Sequence, residues 1–131
     1  MINQVIYPAV FYYDSDGITV TFPDLKGCVT CGSDEKEAIK MAKEAMGLHL
    51  YGMEQDLEEF PEPSKISDIK IESNEMVCLI EVYMNAFRHE YNKSYTKKTL
   101  TIPTWIEEIA RERRVNFSQV LQDALKEYLG I

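Results

Sequence analysis

Cys28-Val29-Thr30-Cys31 has the spacing of a zinc or redox motif, and it is the first place in this 131-residue chain to look for chemistry. Zinc takes four ligands. Cys78 is one further candidate, and His49 and His89 are the only histidines. In a strand, residues three apart point to opposite faces, so the two thiols do not converge. Thioredoxin-like chemistry wants the pair at a helix N-terminus, which Cys31 only approaches. The cysteines therefore read as reduced structural thiols, and neither a metal nor a cofactor is expected. His49, late in a helix, and His89, in a polar linker, read as surface or interface residues.

A second constellation suits recognition. Over residues 97–102, Leu100 and Ile102 fall on one face of a strand, with Lys97, Thr99 and Thr101 on the other. Pro103 cannot donate to a ladder and ends the strand. Thr104 and Glu107 make a capping box for a helix that presents Ile106, Ile109 and Ala110 on one face. Asn116 and Gln119 make another. The helix they open carries Val120, Leu121, Ala124, Leu125, Tyr128 and Leu129 as an apolar stripe and closes at Gly130.

Strand, helix, polar break, helix is the order of a ribbon-helix-helix module. Domains below about 40 residues rarely fold without disulfides, metals or oligomerisation. Pairing the strand with a second copy buries Leu100, Ile102 and both stripes, so Leu100, Ile102, Trp105, Ile106, Leu121 and Leu125 are the expected dimerisation set. The doubled outer row of Lys97, Thr99 and Thr101 then fits the DNA major groove, threonine to base edges and lysine to phosphates. Asn116, Phe117 and Ser118, at the N-terminus of the second helix, suit a backbone phosphate.

Charge is divided unevenly. Residues 1–92 hold 7 Lys and Arg against 17 Asp and Glu, a net of −10, while residues 93–131 hold 7 against 5, a net of +2, matching the overall −8. DNA affinity comes largely from phosphate neutralisation, so the acidic part should face something else, such as a basic protein. There is no apolar run of about 18 residues and no signal-peptide pattern, from which we expect a cytoplasmic protein with no membrane partner.

The first part reads as α+β. Gln4–Tyr13 and Ile18–Phe22 are strands joined by the turn Asp14-Ser15-Asp16-Gly17, and Cys28–Cys31 is a short third strand. Ser33 is expected to cap a long helix that keeps Ala38, Ile39, Ala42, Ala45, Met46 and Leu50 against the sheet, with Gly47 and Gly52 weakening its second half. Glu58–Ser67 is a loop and Glu75–Tyr83 a fourth strand. The expected domains are 1–84, a linker over 85–96, and the module over 97–131.

Tyr7-Pro8-Ala9-Val10-Phe11, Asp14 to Gly17, Phe22-Pro23-Asp24-Leu25, and Gly27-Cys28-Val29-Thr30 with Gly32 and Glu37-Ala38 together resemble the N-terminal domain of HicB antitoxins. The resemblance covers nearly the whole chain. Lys26 departs from it, standing where many members have proline. It implies an incomplete RNase H-like antiparallel sheet with one long helix, followed here by a module similar to the ribbon-helix-helix kind. It also implies a partner, HicA, a small basic mRNA interferase with a catalytic histidine, neutralised by occlusion, and repression of the antitoxin's own operon. An RNase H-like fold invites a nuclease reading on Asp14, Asp16 and Asp24, but two-metal hydrolysis needs converging carboxylates, and these sit in turns, where aspartate is a usual former. We expect no enzyme. The alternative is a stand-alone ribbon-helix-helix regulator whose N-terminal domain senses a ligand or oligomerises. Self-association of the N-terminal domains would turn a dimer into a tetramer.

Overall fold

The computed structural model describes residues 3–92 and 95–130. Its organising element is β1 (Gln4–Asp14), which pairs antiparallel with β2 (Gly17–Thr21) over Val10–Asp14 and with β4 (Glu75–Tyr83) over Gln4–Tyr12. β3 (Val29–Gly32) adds to the far side of β2, giving the order β3-β2-β1-β4. The β1–β2 turn is held locally: the Asp14 carboxylate accepts the Asp16 N–H at 2.8 Å. Gly17 follows with φ +141°, a conformation closed to most side chains.

β1 also contains a proline, which strands bonded on both sides exclude. The Tyr13 N–H bonds the Asn74 carbonyl on the β4 side, so by alternation the nitrogen of Pro8 faces the β2 side. β2 pairs only with Val10–Asp14, so at Pro8 no ladder bond is lost.

One face of this sheet packs on α1 (Glu35–Gln55). Val5, Tyr7, Ala9 and Phe11 of β1, Val20 of β2, and Ile80 and Val82 of β4 meet Ala38, Ala42, Met46 and Leu50 in a single buried cluster. Each fully buried large side chain there contributes roughly 1.5–3 kcal/mol. Two expectations for α1 are corrected. The cap is Asp34, whose carboxylate accepts the Glu37 N–H at 2.8 Å, while Ser33 instead donates its hydroxyl to the Glu37 carboxylate. Ile39 lies on the exposed side, because the buried arc runs through Ala38, Ala42, Met46 and Leu50.

Glycine in the second half of α1 has a packing purpose. A β-carbon on Gly47 would overlap the ring of Phe87, which lies on α2 (Met84–Asn92). Arg88 of the same helix ion-pairs with Glu54 of α1 and donates to Asn3 at 3.1 Å. Residues 85–92, expected as the start of a partly helical linker, are helical and docked on the first unit. The chain divides into compact units Met1–Asn92 and Lys93–Ile131.

The second unit contains α3 (Thr104–Glu112) and α4 (Phe117–Leu129). Thr104 is already helical, so the Thr104–Glu107 capping box does not form; Pro103 occupies the cap position with no side-chain cap bond. Asn116 does cap α4, accepting the Gln119 N–H at 3.0 Å, but the Gln119 side chain turns to Asp123 rather than back. Gly130 closes α4 in the left-handed conformation. Residues 97–103 form no ladder within the chain. No described residue of this unit is buried. No helix among the described residues is long and apolar enough to cross a membrane.

Candidate functional site

The C-terminal unit is where the sequence places most of its site. Leu100 and Ile102 face Phe117, Val120 and Leu121 across a groove of about 580 Å³. The structure therefore brings five predicted residues together: Leu100, Ile102 and Leu121 of the dimerisation set and Phe117 and Ser118 of the phosphate set. Trp105, Ile106 and Leu125 line no part of that groove and are exposed. Lys97, Thr99 and Thr101 are exposed, as are Asn116 and Ser118 at the start of α4.

Three basic residues were not singled out in the sequence. Arg111, Arg113 and Arg114 are exposed around the α3–α4 turn, directly before Asn116. Arg114 has φ +54° and sits just past the end of α3, while the Val115 N–H bonds the Ala110 carbonyl at 3.0 Å and the Arg114 N–H bonds the Arg111 carbonyl at 3.1 Å. That is the glycine-type helix ending, built here on arginine. The missing glycine is why only a polar break was legible, although three arginines in four positions were a usable charge signal.

In the N-terminal unit the candidate carboxylates are engaged in structure. Asp24 accepts the Ser64 N–H at 2.9 Å and the Ser64 hydroxyl at 2.5 Å, tying the β2–β3 loop to the long α1–β4 connection. Asp14 and Asp16 lie in the hairpin turn. Among the described residues, no three His, Cys, Asp or Glu side chains form a group able to hold a metal ion.

Cys28 is buried and Cys31 exposed, so the two thiols do diverge, and burial pushes Cys28 up to about 11. His49 is half-buried beside a groove of about 640 Å³ that it shares with Asp24, Lys26 and Asp56. The side chain of His89 lies outside the described residues. Tyr7 donates to the Pro61 carbonyl at 2.5 Å, and burial, followed by the charges of Asp24 and Glu62, raises its pKa.

A family-wide model of the "HicB_like antitoxin of bacterial toxin-antitoxin system" matches residues 7–124. The chain belongs to this family. The HicB-like antitoxin is 39% identical over 62 residues to an uncharacterised 14.9 kDa protein of the rep-hol intergenic region of Haemophilus phage HP1, covering 47% of each chain. It is 32% identical over 72 residues to Antitoxin HicB 2 of Photorhabdus laumondii, covering 55% of this chain and 52% of that one. These matches thus span about half the length of the curated relatives. Among solved structures it resembles a chain of a toxin–antitoxin complex from Streptococcus pneumoniae, with TM-score 0.60 and 30% identity over 95% of this chain and 99% of the other.

The sheet face turned away from α1 was not read from the sequence. Its rows follow from the register: Val29, Thr21, Val10 and Val77 lie side by side across all four strands, with Pro8 beside Leu79 and Ile6 beside Glu81. Ile6, Tyr12, Val29 and Leu79 are 40–59% exposed there. Glu75 stands beside Tyr12, and Glu81 hydrogen-bonds Tyr83, raising the phenol's pKa.

Proposed function

We propose that this HicB-like antitoxin neutralises a HicA-type basic ribonuclease with its acidic first unit and represses its own operon with its second. The carrying observation is that no described residue of the second unit is buried, beside a groove lined by Leu100, Ile102, Phe117 and Leu121. A unit in that state is half of something. A second copy that pairs strand 97–102 with its equivalent supplies the missing half, as a ribbon-helix-helix dimer. The paired strands then carry Lys97, Thr99 and Thr101 into the major groove, while Asn116, Phe117 and Ser118 meet a phosphate. Arg113 and Arg114, in the turn just before them, add charge for the same backbone.

The first unit we read as an incomplete RNase H-like domain, of order β1-β2-β3-α1-β4. Its net −10 over residues 1–92 suits a basic partner, and occlusion of the toxin's RNA-binding surface and histidine suits inhibition without catalysis. On this reading residues 1–84 bind the toxin, α2 braces that unit, the segment from 93 to 96 connects, and 97–131 bind DNA.

A growth test decides it. Any small basic protein encoded beside this chain is induced alone and together with it. Arrest relieved by co-expression, and not relieved when residues 1–84 are deleted, is the expected result. Absence of arrest, or arrest the chain cannot relieve, leaves a DNA-binding regulator whose first unit recognises something else.

A further inference from the structure

An antiparallel sheet covered on one face usually turns polar side chains to water on the other. Here the uncovered face is apolar at its centre. Ile6, Val10 and Tyr12 of β1 alternate with the core residues Val5, Ala9 and Phe11, and Val77 and Leu79 of β4 extend the same surface. Leu79 is 53% and Ile6 41% exposed, so hydrocarbon remains open to water on two adjacent strands. A contiguous apolar patch of this kind marks an interaction site more often than scattered single residues do.

The charges on the strands select the occupant. None of the four strands contains a lysine or arginine, while Asp14, Glu75 and Glu81 lie on them. The unit's basic residues are elsewhere: Lys36, Lys40 and Lys43 on α1, Lys26, Lys65 and Lys70 in connections, and Arg88 on α2. Nucleic acid is repelled by such a face. A second acidic unit brings like charge against like. A basic protein finds apolar contact at the centre and opposite charge at the flanks, whereas α1 mixes Lys36, Lys40 and Lys43 with Glu35, Glu37, Glu44 and Glu54.

We propose that the sheet face turned away from α1 is the docking surface for a basic protein, with Ile6, Tyr12, Val77 and Leu79 as its apolar centre, around the buried Val10, and Glu75 and Glu81 as its acidic flank. This rests on the toxin-binding reading above and assigns that reading a surface. The centre of such an interface carries most of its affinity, and the flanking charges mainly accelerate association.

The test uses the full chain and a HicA-type basic protein, with affinity and association rate measured by biolayer interferometry. Leu79→Lys is expected to weaken binding on the order of 30-fold or more, the range of a central contact. The pair Lys36→Glu and Lys40→Glu on α1 should leave affinity within about threefold or improve it. Should Leu79→Lys lower the melting temperature, Glu75→Lys with Glu81→Lys carries the test, with association slowed about tenfold at low salt and recovering as salt is raised. Wild-type affinity in a folded Leu79→Lys chain overturns the docking face while leaving toxin binding intact. Loss of a higher oligomer with toxin affinity unchanged also overturns it, in favour of a second copy. A wild-type chain that binds no such protein overturns the toxin reading, and the face proposal with it.

Discussion

The two units carry similar types of apolar residue and treat them oppositely. In the first, Tyr7, Met46, Leu50, Ile80 and Met84 are each at most 1% exposed. In the second, Leu100, Ile102, Val120 and Leu125 remain 43–62% exposed. One unit closes its core by folding a sheet onto a helix, whereas the other has two helices and an unpaired segment with nothing to close on. Under the dimer proposed above, the first unit's stability belongs to the chain and the second's to the pair, and only the latter depends on protein concentration.

Leu100→Asp should break the comparison most completely. A charge at the centre of the apolar groove is expected to abolish dimerisation and operator binding together while the first unit keeps its own unfolding transition. Sedimentation and a gel-shift assay read both losses. A wild-type chain monomeric at micromolar concentration, with α3 and α4 intact by circular dichroism, would remove the ribbon-helix-helix assignment.

Leu50→Ala tests the other side. Emptying that fully buried site should cost about 2–5 kcal/mol in denaturant unfolding of the first unit, independent of protein concentration. A concentration-dependent loss would mean that this core, too, is shared between copies.

Thr101→Ala sharpens the comparison within the second unit. It should weaken operator affinity by about 1–3 kcal/mol in a gel-shift titration and leave the dimer's melting temperature unchanged. The smallest effect is expected at Arg114, where glycine relieves the left-handed conformation. Arg114→Gly should stabilise the second unit by about 1 kcal/mol in thermal melting while lowering DNA affinity, because the same change removes a cation. Stability and affinity moving in the same direction would argue against a phosphate role for that arginine.

Much of the first unit was legible because its punctuation is local. Asp14 to Gly17 makes the hairpin turn, and the four strands fall within a few residues of their expected positions. The cap of α1 shifted by one residue because Ser33 and Asp34 are both good caps, and where β3 ends chooses between them. The purpose of Gly47 was hidden because its partner Phe87 is distant in sequence. The open face escaped notice because β1 reads as a nearly continuous apolar run, which signals burial on both sides rather than one covered face and one left bare. For the second unit, the alternation of Leu100 and Ile102 was legible, but residues 97–103 form no ladder within one chain, and the pairing proposed for them would lie between copies.

Pro8 has a consequence for how the sheet meets other chains. Over residues 4–9, β1 bonds β4 on one side only, and such a half-bonded stretch invites a foreign strand to zip in beside it. By the alternation along β1, the rungs on that side fall to residues 4, 6 and 8, and the buried proline takes away the one next to β2. It makes that stretch a poorer template for strand addition.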